Sequence, residues 1–251
     1  MRIIVSPAKK MRVDTDSLPW RDLPTFLSET ELLAKILKKM DYNELKSLWK
    51  CNDAIAAMNV ERLASMELNQ RLTPAILAYE GIQYQYMAPG VFTQRELDYI
   101  QEHLRILSGF YGVLKPFDGV VPYRLEMQAK LSVNGKKDLY EFWGSSLAEQ
   151  VLSETDSIIN LASKEYSTSI SKFLPKDVRF TTCVFGEEKD GKVIEKGTMC
   201  KMARGEMVRY MAENDIVDPD KIKGFDRLGY RFDDNKSNCE KFVFIGYATE
   251  S

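Results

Sequence analysis

Two stretches of this chain carry chemistry that folding alone does not demand: RIIVSPAKK at residues 2–10 and LRILSGFYGVLKPFDGVVPYRLEM at residues 104–127. In the first, an apolar run that reads as a buried strand stops at Ser6-Pro7, and Lys9 and Lys10 follow at its mouth. A strand end that carries only cations is a site for an anion. In the second, glycines and prolines interrupt what would otherwise be a helix, with Arg105, Lys115 and Arg124 spaced along the interruption. Glycine permits close backbone approach, proline fixes the turn, and the cations stay free to face a ligand. Phosphate is the first candidate.

The opening pattern recurs once. An apolar strand at 157–161 ends in Ala162-Ser163-Lys164, with a helix expected from about Tyr166. Two such strand ends side by side would gather Ser6, Lys9, Ser163 and Lys164 on one sheet edge, where open sheets commonly bind ligands. A helix expected over 200–214 adds Lys201 and Arg204, and the small neighbours Ala203 and Gly205 leave the Arg204 guanidinium room to reach outward. Arginine presents a planar fork suited to phosphate, so Arg124 qualifies too, although Glu126 is close enough to compete for it. The expected nucleic-acid-binding face is therefore Lys9, Lys10, Arg105, Lys115, Arg124, Lys164, Lys201 and Arg204, with Ser6 and Ser163 as further ligand contacts.

Catalysis has fewer footholds. His103 is the only histidine and sits in a helical stretch, so no set of nucleophile, histidine and acid can be assembled. A strand-end lysine partly stripped of water and repelled by a neighbouring lysine can attack carbon, which makes Lys9 and Lys164 the catalytic candidates. Glu80, Glu126 and Glu165 could supply a general acid or base. Cys51, Cys183, Cys200 and Cys239 are far apart with no CxxC pair, which leaves no clustered Cys and His donors, so no metal and no cofactor is expected. Carboxylate-only iron sites stay open. Cys200, beside Lys201, is the best-placed thiol for redox sensing. Tyr79, Tyr84, Tyr86, Tyr111, Tyr123, Phe142 and Trp143 are dense enough to stack on bases, but aromatics at this density are more often core.

The elements that must position these groups follow from spacing. Leu32, Leu33, Ile36, Leu37 and Met40 fall on one helical face, with Ser28 as cap and Glu31 three residues on. Helices are also expected over 41–49 and 52–65. Thr73-Pro74 opens another, which Gly81 ends. Thr93 caps a helix running to about Leu107, and Gly109-Phe110-Tyr111-Gly112 then reads as a tight turn between two helical segments, in the manner of a helix-hairpin-helix whose glycine amides face a phosphate. An aromatic-rich helix spans 138–152, a hairpin turns at Asp190-Gly191 between 178–188 and 192–198, and a second pairs 229–233 with 241–247. No repeat, low-complexity tract or linker divides the chain. One α+β domain over 1–251 is expected, with a mixed sheet and surrounding helices.

A net charge of −2 argues against a protein that coats nucleic acid indiscriminately. Charge is segregated instead: Arg2, Lys9, Lys10 and Arg12 open the chain without an acid, while aspartates crowd residues 215–234. No run of about 18 apolar residues or apolar signal segment is present, so a cytoplasmic location is expected.

These stretches, with LYEFWG at 139–144, INLASKEY at 159–166 and KMARG at 201–205, resemble in order and over essentially the whole chain the peroxide stress protein YaaA family, long catalogued only as a domain of unknown function. The resemblance implies a cytoplasmic bacterial protein induced by hydrogen peroxide and linked to lower free intracellular iron and less oxidative DNA damage, double-stranded DNA binding being known for a relative. It also implies an unusual fold with a basic cleft and a helix-hairpin-helix-like element. The favoured expectation is a monomeric protein that binds duplex DNA through this cleft. The alternative is an enzyme of nucleotide or small-molecule metabolism using a strand-end lysine in the same cleft.

Overall fold

The computed structural model describes residues 1–246. The chain runs through β1 (Arg2–Val5) and β2 (Lys10–Met11) into three helices, α1 (Leu27–Leu37), α2 (Tyr42–Trp49) and α3 (Asp53–Ala64). A compact run follows: β3 (Thr73–Pro74), α4 (Ala75–Ala78), β4 (Tyr79–Glu80) and α5 (Ile82–Met87). Next, α6 (Gln94–His103) passes directly into β5 (Leu104–Ser108), with β6 (Gly112–Leu114), β7 (Gly119–Val120), α7 (Leu139–Trp143) and α8 (Ser146–Leu152) after it. The last part is β8 (Ser157–Leu161), α9 (Lys164–Ser171), β9 (Arg179–Lys189), β10 (Lys192–Ile194), α10 (Gly197–Glu213), β11 (Tyr230–Phe232) and β12 (Lys241–Gly246). This is an α+β architecture around one mixed sheet.

The sheet has the order β11-β12-β9-β8-β1-β5-β6, with β10 on β9. Its middle strands run parallel and its outer pairings, β11 with β12, β10 with β9 and β5 with β6, are antiparallel. β1 is central, because Ile3 pairs with Leu104 on one side and Ile159 on the other. Ile3, Ile4 and Val5 are completely buried, as expected for a parallel strand covered on both faces.

Several boundaries follow from local chemistry. Asp41 caps α2 and Thr93 caps α6, each with a glutamate three residues later closing a capping box. Asp190 and Gly191, both at positive φ, form the β9–β10 turn. Ser28, by contrast, lies inside the first turn of α1, whose N-cap is Phe26. Gly81 begins α5 rather than ending a long helix. The expected helix at 138–152 is broken into α7 and α8 at Gly144. The β11–β12 hairpin forms, and the expected end of its second strand, Tyr247, lies outside the described residues.

The largest correction concerns 104–127. Gly109-Phe110-Tyr111-Gly112 joins two antiparallel strands, β5 and β6, and not two helices. Leu104 and Leu107 continue the apolar stripe of α6, but every residue from Leu104 to Ser108 is buried, and an apolar run buried on all sides cannot be told from helix by periodicity.

Candidate functional site

β1 and β8 lie side by side and parallel, in register from Arg2 with Ile158 to Val5 with Leu161, so their C-terminal ends meet. There the Ser6 Oγ accepts the Ser163 N–H at 2.8 Å and lies 3.2 Å from the Ser163 Oγ. The Tyr84 hydroxyl donates to the Ser6 carbonyl at 2.9 Å. These bonds close the floor of a cavity of about 410 Å³.

Three further segments build its walls. The β2–β4 pairing sets Lys10 opposite Glu80, and their side chains bridge at 3.0 Å. The segment 121–127 brings Tyr123, Arg124 and Glu126, and Glu126 bridges Lys9 at 2.8 Å and Arg124 at 3.4 Å. The helix α10 brings Lys201 and Arg204, one turn apart, with Arg204 bridging Glu195 at 3.4 Å. Two glycines make these approaches possible. A Cβ at Gly109 would lie 2.7 Å from the Leu125 carbonyl oxygen, so only glycine lets 125–127 cross the β5–β6 turn. A Cβ at Gly205 would lie 2.1 Å from the Gln83 carbonyl oxygen, so α5 and α10 touch backbone to backbone there.

The cavity is mixed in charge. Lys9, Lys10, Arg124, Lys201 and Arg204 line it together with Glu80, Glu126 and Glu165. Lys9, Lys10 and Lys201 are exposed at its rim, whereas the guanidinium groups lie deeper, with the Arg124 and Arg204 side chains only 10% and 12% exposed. Burial raises the Glu165 carboxyl above the usual carboxylate range, Gln128 N–H and Lys9 pulling against it. Burial likewise pushes the Tyr123 phenol up to about 12. That phenol hydrogen-bonds to Ser108 at 2.6 Å and Tyr79 at 2.8 Å, a chain of buried hydroxyls leading from the wall into the core.

Of the residues singled out in the sequence, Ser6, Lys9, Lys10, Arg124, Ser163, Lys201 and Arg204 thus come together. Arg105 does not. It is 3% exposed, its Nε donates to Glu154 at 2.8 Å, and Arg2 donates to the same carboxylate from the other side. A strand position between covered layers can hold a charge only with a buried partner, and Glu154 is that partner. Lys115 stands in the β6–β7 turn, where its N–H donates to the Asp118 carboxylate, and Lys164 is exposed on α9; neither lines the cavity. Lys9 is 66% exposed and ion-paired, unlike the desolvated lysine that nucleophilic attack calls for.

Tyr84, Tyr123 and Tyr166 line the cavity with their rings in the core, and Gln83 lines it without having been singled out. Nothing short-range in the sequence marks Gln83, since its place is set by Gly205 more than a hundred residues later. Cys200 is no activated thiol: burial raises its pKa, and its Sγ lies 3.4 Å from the Gly197 carbonyl. The Cys183 thiol is pushed up to about 12 by burial. Among the described residues no group of three or more His, Cys, Asp and Glu is gathered to hold a metal ion, and no helix is long and apolar enough to cross a membrane.

Comparison with known proteins bears on the whole of this arrangement. A UPF0246 protein of Lachnoclostridium phytofermentans is 60% identical over 245 residues, covering 98% of this chain and 96% of its own. Another UPF0246 protein, of Pediococcus pentosaceus, is 52% identical, covering 98% of both. The family described as "Peroxide stress protein YaaA" matches residues 1–236, from the first strand, which leads into Ser6, to the turn after β11, and the chain belongs to that family.

Proposed function

We propose that the protein serves the peroxide response by holding a phosphate-bearing ligand in the cleft at the ends of β1 and β8, and that duplex DNA is engaged from outside by the rim lysines Lys9, Lys10 and Lys201. The observation that carries this reading is the convergence of Lys9, Lys10, Arg124, Lys201 and Arg204, from chain-distant segments, on one cavity. Against the three carboxylates that also line it, Glu80, Glu126 and Glu165, these five cations leave the wall with a positive excess in a chain of net charge −2. The dimensions divide the labour. At about 410 Å³ the cavity falls among small-molecule sites, which run to roughly 300–1,000 Å³. A duplex is far broader than such a cavity, its major groove alone being about 12 Å wide, so it would remain at the rim. Anisotropy of a labelled duplex against salt tests the reading. Binding at low salt that Lys9→Ala, Lys10→Ala and Lys201→Ala together abolish is expected; no binding, or binding indifferent to the triple change, removes the DNA part.

A second reading, catalysis on a small molecule in the same cavity, is favoured by Glu165. A carboxyl whose affinity for a proton is raised by burial at the wall of a cavity is suited to general acid or base work.

A further inference from the structure

Six buried side-chain polar atoms among the described residues lack a hydrogen-bond partner, and three of them, Gln83 Nε2, Arg124 Nε and Arg204 Nε, belong to residues that line this one cavity. All three are N–H donors. Buried donors are nearly always satisfied, so such a concentration calls for a partner rich in acceptors. Gln83 is 7% exposed, which leaves solvent little part in satisfying it. A second feature points the same way. Ser163 heads α9 without capping it, because its hydroxyl faces Ser6 instead of the first-turn amides. The first turn of an uncapped helix offers free N–H groups and the positive end of its dipole to an anion.

An anion alone does not fill the space. The walls between the donors are apolar or aromatic, from Ala8, Ile82 and Leu125 to the rings of Tyr84, Tyr123 and Tyr166. Glu126 and Glu165 add acceptors suited to the N–H edge of a heterocycle. A ligand that matches all three needs has an anionic group, a flat apolar face and a hydrogen-bonding edge. We infer that the cleft is a single-nucleotide site, in which the phosphate takes the free donors of Arg124, Arg204 and the Ser163 end of α9 while the base lies against the phenol-lined wall. This rests on reading the cleft as an anion site and adds the class of ligand.

The same chemistry can arrive in two ways, as a free nucleotide or as an unpaired nucleotide still joined to DNA. A more open groove shares Lys10, Glu80 and Tyr84 with the cavity and continues to Arg12, so a strand on either side of the bound nucleotide would have a path out. Enzymes and binding proteins that take a base from the stack enclose it in a pocket of this kind.

Calorimetric titration of the full chain with AMP, GMP, CMP and dTMP, their nucleosides and inorganic phosphate tests the inference, together with anisotropy of a duplex bearing one unpaired nucleotide against its fully paired counterpart. The expected result is that a mononucleotide, or the unpaired duplex, binds about tenfold tighter than nucleoside, phosphate and paired duplex. Gln83→Leu, which removes an orphaned donor at similar volume, and Arg204→Lys, which keeps the charge, should each weaken that preference about tenfold at unchanged melting temperature. Preference for the mononucleotide identifies the free ligand, and preference for the unpaired duplex identifies DNA. The inference is overturned if neither preference exists, or if the preference survives both substitutions in folded protein. Such a failure leaves rim-dependent duplex binding standing, whereas loss of rim dependence with the preference intact would fail the DNA reading alone.

Discussion

Lys9 is the residue at which binding and catalysis part. Arginine keeps the charge and can contact phosphate, but it cannot serve as a neutral nucleophile or base. Lys9→Arg is therefore expected to bind duplex DNA within about tenfold of the parent and to restore peroxide resistance to a deletion strain. Normal folding and binding without restored resistance would move catalysis to the front. Asp118 gives a prediction of a different kind. Its carboxyl is 3% exposed, and burial pushes its pKa up to about 7 from 3.8, against the pull of the Lys115 N–H and side chain. A raised acid holds its proton in the folded state while the unfolded chain has released its own, so between those values stability falls as pH rises, and above them the loss is complete. Asp118→Asn keeps an acceptor for the Lys115 N–H and has no charge to bury. It should raise the melting temperature more at about pH 8 than at about pH 5; equal shifts at both would remove the argument. Lys9 and Lys10, which line the cavity, are marked in sequence by the strand end they follow, Arg204 by its helix and Arg124 by the proline-bounded stretch that carries it, whereas Lys164, marked by the second strand end, does not line it. Arg105 was misread because sequence shows a cation and hides its partner Glu154, 49 residues away.

At the level of elements, the contact of α5 with α10 decides the shape of the cleft, since it carries Gln83 and Tyr84 on one side and Lys201 and Arg204 on the other. Gly205→Ala puts a methyl group against the Gln83 carbonyl, 2.1 Å from its oxygen, and backbone on both helices must move. Destabilisation of about 1–3 kcal/mol is expected from such overpacking, together with weaker ligand binding, and urea unfolding beside titration checks both. An alanine variant as stable as the parent would mean that the helices slide apart freely. Elements with their own punctuation are readable in sequence: β1 and β8 by apolar runs with abrupt ends, α6 by its Thr93 cap, the β9–β10 hairpin by Asp190-Gly191. The β5–β6 turn was not. Its glycines were assigned to phosphate contact, yet Gly109 is needed because 125–127 crosses it, a constraint that exists only once distant segments meet.

For the whole molecule, the exposed lysines at the rim set how binding responds to salt. With Lys9, Lys10 and Lys201 each neutralising one phosphate, log affinity for duplex DNA should fall against log salt with a slope of about −3. A slope near −7 would instead require cations beyond this rim, and a flat response would exclude phosphate contact. The strand order that places the cleft also governs how the chain is made. β1 emerges from the ribosome well before its neighbours in the sheet, residues 104–106 and 158–161. At about 5–20 residues per second, the strand waits roughly 5–20 s for β5 and roughly 8–30 s for β8. Arg204 lies on α10, the last helix to reach the cleft, and so is the last of the cavity cations to be made. A polypeptide cut short before α10 lacks Lys201 and Arg204, so the cleft is closed on that side only when the last helix has been made.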